Sequence, residues 1–188
     1  MKNRRIVNIC LIALTAAVTA VCAWVTVPGA VPFTLQTFGV FLALETLGAK
    51  RGTLAVIIYI ALGMAGLPVF SGFRSGAAVV LGPTGGYIVG FVLCGIVYML
   101  FEKVPEFRRR NIAAAASGMC LCYLFGTLWF MFFSRSQGSS YEFGAVLSIC
   151  VLPFIIPDAL KITAAVIIAK RIKKALPKIA DMKYNNKV

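Results

Sequence analysis

Long apolar runs separated by short polar segments set the pattern of this chain. Six runs stand out, over residues 6–25, 33–48, 53–67, 84–101, 112–133 and 143–169. About 20 apolar residues cross a bilayer as a helix, so each run predicts a transmembrane helix, with the second and third short. Those two are expected to tilt against neighbours, to be shielded by other helices, or to borrow residues from a flanking loop. The pattern predicts an all-α membrane protein with six transmembrane helices, a single domain over residues 1–188 with a basic tail at 170–188.

Charge supplies the orientation. Net charge is +13, a value that in a soluble protein points to nucleic acid, but here the cations cluster between the apolar runs. That placement follows the positive-inside rule. With the N-terminus cytoplasmic, the inner side holds Lys2, Arg4 and Arg5, Lys50 and Arg51, Lys103 with Arg108 to Arg110, and seven cations of the tail, which is sixteen of the nineteen. The outer side keeps Arg74 and Arg135, and Lys161 falls inside the sixth run. Both termini are therefore expected in the cytoplasm. The first run is too long for a signal-peptide core and has no clear cleavage site, so it reads as the first helix. At 60% hydrophobic and 13% charged the chain lies well above the roughly 45–50% apolar content of soluble domains, and its environment is membrane lipid.

The sixth run contains the chain's costliest residues, in Pro153-Phe-Ile-Ile-Pro157-Asp158-Ala-Leu-Lys161. A carboxylate and an ammonium at membrane depth must pair or line a wet cavity. Each proline removes a backbone donor and biases the residue before it away from helical angles. The expected result is a helix broken here, with Pro157 opening a second half, Asp158 in its first turn where the dipole favours an anion, and Lys161 on the same face. Carbonyls near Ile149 and Pro153 lose their helical partners. Broken helices of this kind form substrate sites in transporters; the alternative is a pair that only neutralises itself.

Other features narrow the chemistry. The loop 67–83 is glycine-rich and too apolar for a solvated linker, so it is expected to fold back as a lid, or else simply to pack down. Gly82, Gly86 and Gly90 recur every four residues, a spacing that lets helices approach closely. Ala13, Ala16, Ala17 and Ala20 make a flat stripe on the first helix, for another helix of this chain or for a separate subunit. The six cysteines lie within apolar runs without a C-x-x-C pair and read as small buried thiols. The chain has no histidine, which excludes His-based triads and the H-E-x-x-H zinc site. Gly82-Pro-Thr-Gly-Gly-Tyr lacks the Lys-Ser/Thr of a phosphate loop. An intramembrane enzyme would need a nucleophile with its base, a metal set or paired carboxylates, against one deep carboxylate here. No catalytic residue, metal or cofactor is expected, and no nucleic acid.

Four segments together, Val31-Pro-Phe-Thr-Leu-Gln-Thr, Tyr59-Ile-Ala-Leu-Gly-Met-Ala-Gly-Leu-Pro-Val-Phe, Leu81-Gly-Pro-Thr-Gly-Gly-Tyr and the Pro153–Lys161 stretch, resemble the signature segments of the BioY family over roughly residues 6 to 172. These are the biotin-binding S components of energy-coupling factor (ECF) transporters. The resemblance implies six membrane helices, capture of biotin from outside, and association with a transmembrane coupling protein and two cytoplasmic ATPases. It also makes Ala13 and Ala17 the counterpart of the family's A-x-x-x-A docking motif. A broken helix alone would also suit an S component for a different vitamin. Two departures stand out. Pro157 replaces the usual glycine before the aspartate, and Ile88 stands where some members carry an arginine, whose role we assign to Arg74.

Biotin offers two ureido N–H donors, a ureido carbonyl, an apolar thiophane ring and a carboxylate tail. On this reading Asp158 accepts an N–H, a freed carbonyl near Pro153 accepts the second, and Lys161 donates to the carbonyl. Arg74 grips the carboxylate through two parallel bonds. Phe33, Phe73, Tyr87 and Trp129 are candidate walls, with Thr34 and Gln36 adding polar contacts.

Overall fold

The computed structural model describes residues 2–29, 31–105, 110–139 and 141–175, with side chains from residue 5 onward. Arg108, Arg109 and the tail beyond residue 175 lie outside the described residues, as do the side chains of Lys2 and Arg4. Helix α1 spans Lys2–Trp24. A hairpin of β1 (Thr26–Val27) and β2 (Phe33–Thr34) leads into α2 (Gln36–Leu47) and α3 (Ala49–Met64). A 3₁₀ turn at Ser71–Phe73 and the short α4 (Ala77–Leu81) precede α5 (Gly85–Lys103) and α6 (Arg110–Ser136). The chain closes with α7 (Phe143–Cys150) and α8 (Leu152–Ala175). Among the described residues, four helices, α1 from Arg5, α5, α6 and α8, have the length and composition to cross a membrane.

Helix α2 lies at the centre. Its 12 residues extend about 18 Å at 1.5 Å each, well short of a bilayer core. Every residue of it except Phe38 is buried, against α1, α3 and α8. It is one of the two short runs, and neighbours shield it as the pattern required. Burial cannot drive helices together in lipid, so close packing has to. The small residues supply it. A Cβ on Gly86 would collide with Trp129, and one on Gly90 would come within 3.1 Å of the Cys122 backbone, which explains why α5 and α6 run in close contact. Gly82 lies outside that interface, at the end of α4.

The alanine stripe on α1 divides in two. Ala16 and Ala20 are buried with Ile12, Thr19 and Ala23, whereas Ala13 and Ala17 face outward beside Leu14 and Val21. The thiols divide as well: Cys22, Cys94, Cys122 and Cys150 are buried, but Cys10 and Cys120 are exposed, contrary to expectation. Both sit on helix faces turned away from the core, where an apolar sulfur is at home in lipid.

The helix break falls elsewhere than expected. It lies at Val151 (φ −125°, ψ −55°), between α7 and α8, and Pro157 sits inside a continuous α8. The reason is the first proline. Continuing α7 would place the Pro153 ring against the Ile149 carbonyl, so the helix ends and restarts with Pro153 in its first turn, where no N–H is needed. Pro157 then meets only the Pro153 carbonyl, one turn into the restarted helix, and α8 runs on. Asp158 is thus beyond the first turn, out of effective reach of the helix dipole, and must be stabilised by side chains. Asp158, Lys161, Ala165 and Ala169 share the inward face of α8, while Ile156 and Leu160 point outward.

Polar clamps hold the opposite end of α2. Buried Glu45 accepts from the Tyr98 hydroxyl at 2.9 Å and from Asn111 Nδ2 at 2.8 Å, tying α2 to α5 and α6. The α2–α3 corner turns on Gly48 at φ 83°, and Glu102 Oε1 accepts the Ala49 N–H at the start of α3. Both clamps escaped the sequence reading.

Candidate functional site

The hairpin, the 67–83 loop and residues of α2, α5, α6, α7 and α8 line a cavity that opens to solvent. Asp158 and Lys161 line it and are buried. Lys161 Nζ donates to Asp158 Oδ1 at 2.9 Å and stands 3.8 Å over the Phe33 ring, a cation–π contact. Asp158 Oδ2 accepts the Tyr123 hydroxyl at 2.7 Å. The carboxylate therefore has a counter-ion and a hydroxyl donor, and each oxygen retains a lone pair for a guest.

Thr34 and Gln36 also reach the cavity. The Thr34 hydroxyl accepts the Gln36 backbone N–H at 3.1 Å and fixes the first turn of α2. The Gln36 side-chain nitrogen is buried and has no hydrogen-bond partner among the described residues. Tyr87 lines one wall, its hydroxyl buried near Thr127 and Cys150 without a well-formed hydrogen bond among the described residues. Phe154, stacked on Phe33 with ring centroids 6.1 Å apart, supplies the apolar wall expected of Phe33, which stands behind it.

The 67–83 loop folds over the helices. Phe70, 1% exposed, packs edge-on against Tyr59 with centroids 5.6 Å apart. The Gly76 N–H donates to the Gly63 carbonyl at 2.7 Å, and any side chain on Gly63 would run into the Phe70 ring. Arg74 lies at the cavity rim, exposed, its Nε and one terminal nitrogen donating to the carbonyl and hydroxyl of Ser71 at 3.1 and 3.0 Å. Its remaining N–H donors are available to an anion at the mouth.

Besides Phe33, two more of the expected walls do not reach the cavity. Phe73 is 62% exposed at φ 57° and stacks on Trp24, whose indole N–H bonds Pro68; the turn points its ring toward α1. Trp129 packs against Gly86 and donates to the Gly82 carbonyl at 2.9 Å, bracing α4. Tyr123 was missed. The only signal for it was a hydroxyl in the middle of an apolar helix, which needs an acceptor once buried.

Comparison with known proteins matches this architecture. Residues 1–178 fit the model of the BioY family. The chain is 40% identical over 159 residues to the "Biotin transporter BioY" of Thermotoga maritima, covering 84% of this chain and 90% of that one. It is 40% identical over 167 residues to the "Probable biotin transporter BioY" of Pyrococcus horikoshii, covering 88% and 96%. With the "Biotin transporter BioY2" of Lactococcus lactis the identity is 32% over 183 residues, covering 94% and 95%. The structure is similar to a 2.1 Å crystal structure of the S-component for biotin from an ECF-type ABC transporter, at a TM-score of 0.79 and 26% identity over 93% and 94% of the two chains. A family match over nearly the whole length, and relatives that align almost end to end, establish that this chain belongs to the BioY family.

Proposed function

We propose that this chain is the biotin-binding S component of a vitamin uptake transporter in a bacterial plasma membrane. The observation that carries the reading is the buried Asp158–Lys161 pair turned into a solvent-open cavity instead of being sealed in the core. Such a pair at membrane depth is costly unless a polar guest uses it. The names of the relatives supply the guest. Asp158 accepts a ureido N–H, Lys161 keeps that carboxylate ionised, Tyr87 and Phe154 flank the ring system, and Arg74 takes the carboxylate tail at the rim.

In this reading the domain crosses the bilayer six times, through α1, α2, α3, α5, α6 and the α7–α8 pair, with both termini cytoplasmic. The positions of Lys50, Arg51, Lys103 and Arg110 at one end of the bundle support that orientation. The chain carries out no chemistry and has no ATPase of its own. Energy comes from two ATPase subunits through a transmembrane coupling protein, which docks on the outward Ala13 and Ala17 of α1. Their exposure among apolar side chains favours a helix partner.

The test is to purify the protein in detergent from biotin-fed cells, denature it and identify the small molecule released. Biotin at close to one per chain is expected. Recovery of none, together with failure of the emptied protein to rebind biotin, would overturn the assignment.

A further inference from the structure

We propose that lipid holds the turn that carries Arg74: the Trp24–Phe73 pair beside it seats at the boundary between headgroups and acyl chains. The consequence for ligand capture rests on biotin being the ligand. Phe73 takes a left-handed backbone angle, φ 57°, that a bulky residue seldom adopts, in a turn closed by the Phe70 N–H on the Arg74 carbonyl at 3.1 Å. Its ring turns away from the cavity and stacks on Trp24 with centroids 5.1 Å apart, while the next side chain, Arg74, lines the cavity mouth. Consecutive residues thus serve opposite sides of one turn.

Helix length sets the depth. From Arg5 to Trp24, α1 has 20 residues, about 30 Å at 1.5 Å each, which matches a bilayer core. With Arg5 at one surface, Trp24 falls at the other, and Phe73, stacked on it, falls there too. Indole rings favour that level, being apolar with one polar atom. Here that atom is already engaged, since the indole N–H donates to the Pro68 carbonyl at 2.8 Å. What the pair turns outward is therefore apolar, and exposed Val25 and Leu67, next in the chain to Trp24 and Pro68, extend it. The same surface continues down α1 through exposed Val21 and Leu14. An apolar patch continuous with the outward face of a membrane helix, at this depth, is one that lipid fits.

The experiment measures depth in nanodiscs of phosphatidylcholine brominated either just below the carbonyls or near the midplane, bromine quenching indole fluorescence on contact. Trp24 and Trp129 are the chain's two tryptophans, so the difference between the parent and Trp24→Phe isolates Trp24. Its emission should fall most with the shallow bromine and much less with the deep one. Phe73→Trp in the Trp24→Phe background should behave alike and reports the turn itself. Equal emission in brominated and ordinary lipid puts the pair in water, and stronger quenching by deep bromine puts it among the acyl chains; either result overturns the inference. These measurements need no ligand, so they are decided independently of the transport reading. Calorimetric titration in ordinary nanodiscs then tests Phe73 as a positioning residue. Phe73→Ser should weaken biotin about 2- to 10-fold and leave biotin amide, which has no carboxylate for Arg74, unchanged. Equal losses for both ligands, or none for either, would show that the lipid contact does not position Arg74 and would overturn that role. A parent chain that binds no biotin strikes instead at the transport reading.

Discussion

Two buried carboxylates sit in this bundle, and their surroundings differ in one decisive way. Asp158 and Glu45 are both 4% exposed, and each has both oxygens engaged by protein donors. Asp158 faces a cavity that opens to solvent and shares it with Arg74 and Lys161. Glu45 does not line that cavity; its donors, Tyr98 and Asn111, come from two helices that it ties to α2. Burial of an acid thus says only that it has been compensated. Whether it serves a guest or the scaffold depends on what adjoins it.

The sharpest way to break the comparison is Asp158→Asn. It leaves Lys161 buried without its counter-ion and removes the ionic acceptor, so biotin affinity should fall by about 30-fold to several thousand-fold, measured by calorimetric titration. Parental affinity in this variant would remove the pair from the site. The complementary substitution is Glu45→Ala. It strands the buried Tyr98 hydroxyl and the half-buried Asn111 amide and should lower stability by about 2–3 kcal/mol, read as a loss of melting temperature in detergent, with biotin affinity in the surviving fold within about threefold of parent. A large affinity loss at constant stability would erase the contrast between the two acids. The smallest effect is expected at the rim. Arg74→Ala should weaken biotin by about 10-fold and leave the melting temperature unchanged, because an exposed guanidinium contributes little to folding. Against biotin amide, which has no carboxylate, the same variant should bind like the parent.

The sequence carried the helix pattern well, because each long apolar run becomes a helix or, in the sixth, a pair of helices. It also located Asp158 and Lys161, since charge inside an apolar run is hard to miss. It misplaced the break because two prolines four residues apart were treated alike, whereas the first ends α7 and the second lies one turn into a restarted helix. Tyr123, Glu45 and Asn111 were overlooked for a different reason. Their roles depend on partners 35 and 53 to 66 residues away, which no local spacing encodes. The aromatics show the same limit. Phe73, Trp129 and Phe154 look equivalent in the chain, but only Phe154 lines the cavity.

The short stretch carrying Arg74 leaves α3's neighbourhood at Phe70 and returns at Gly76, and both ends are fastened to one residue, Gly63. The arginine therefore rides on an eyelet whose two feet share a single post. An anion at the cavity mouth would meet a guanidinium whose backbone is already in place, the entropy of ordering that segment having been spent when the protein folded.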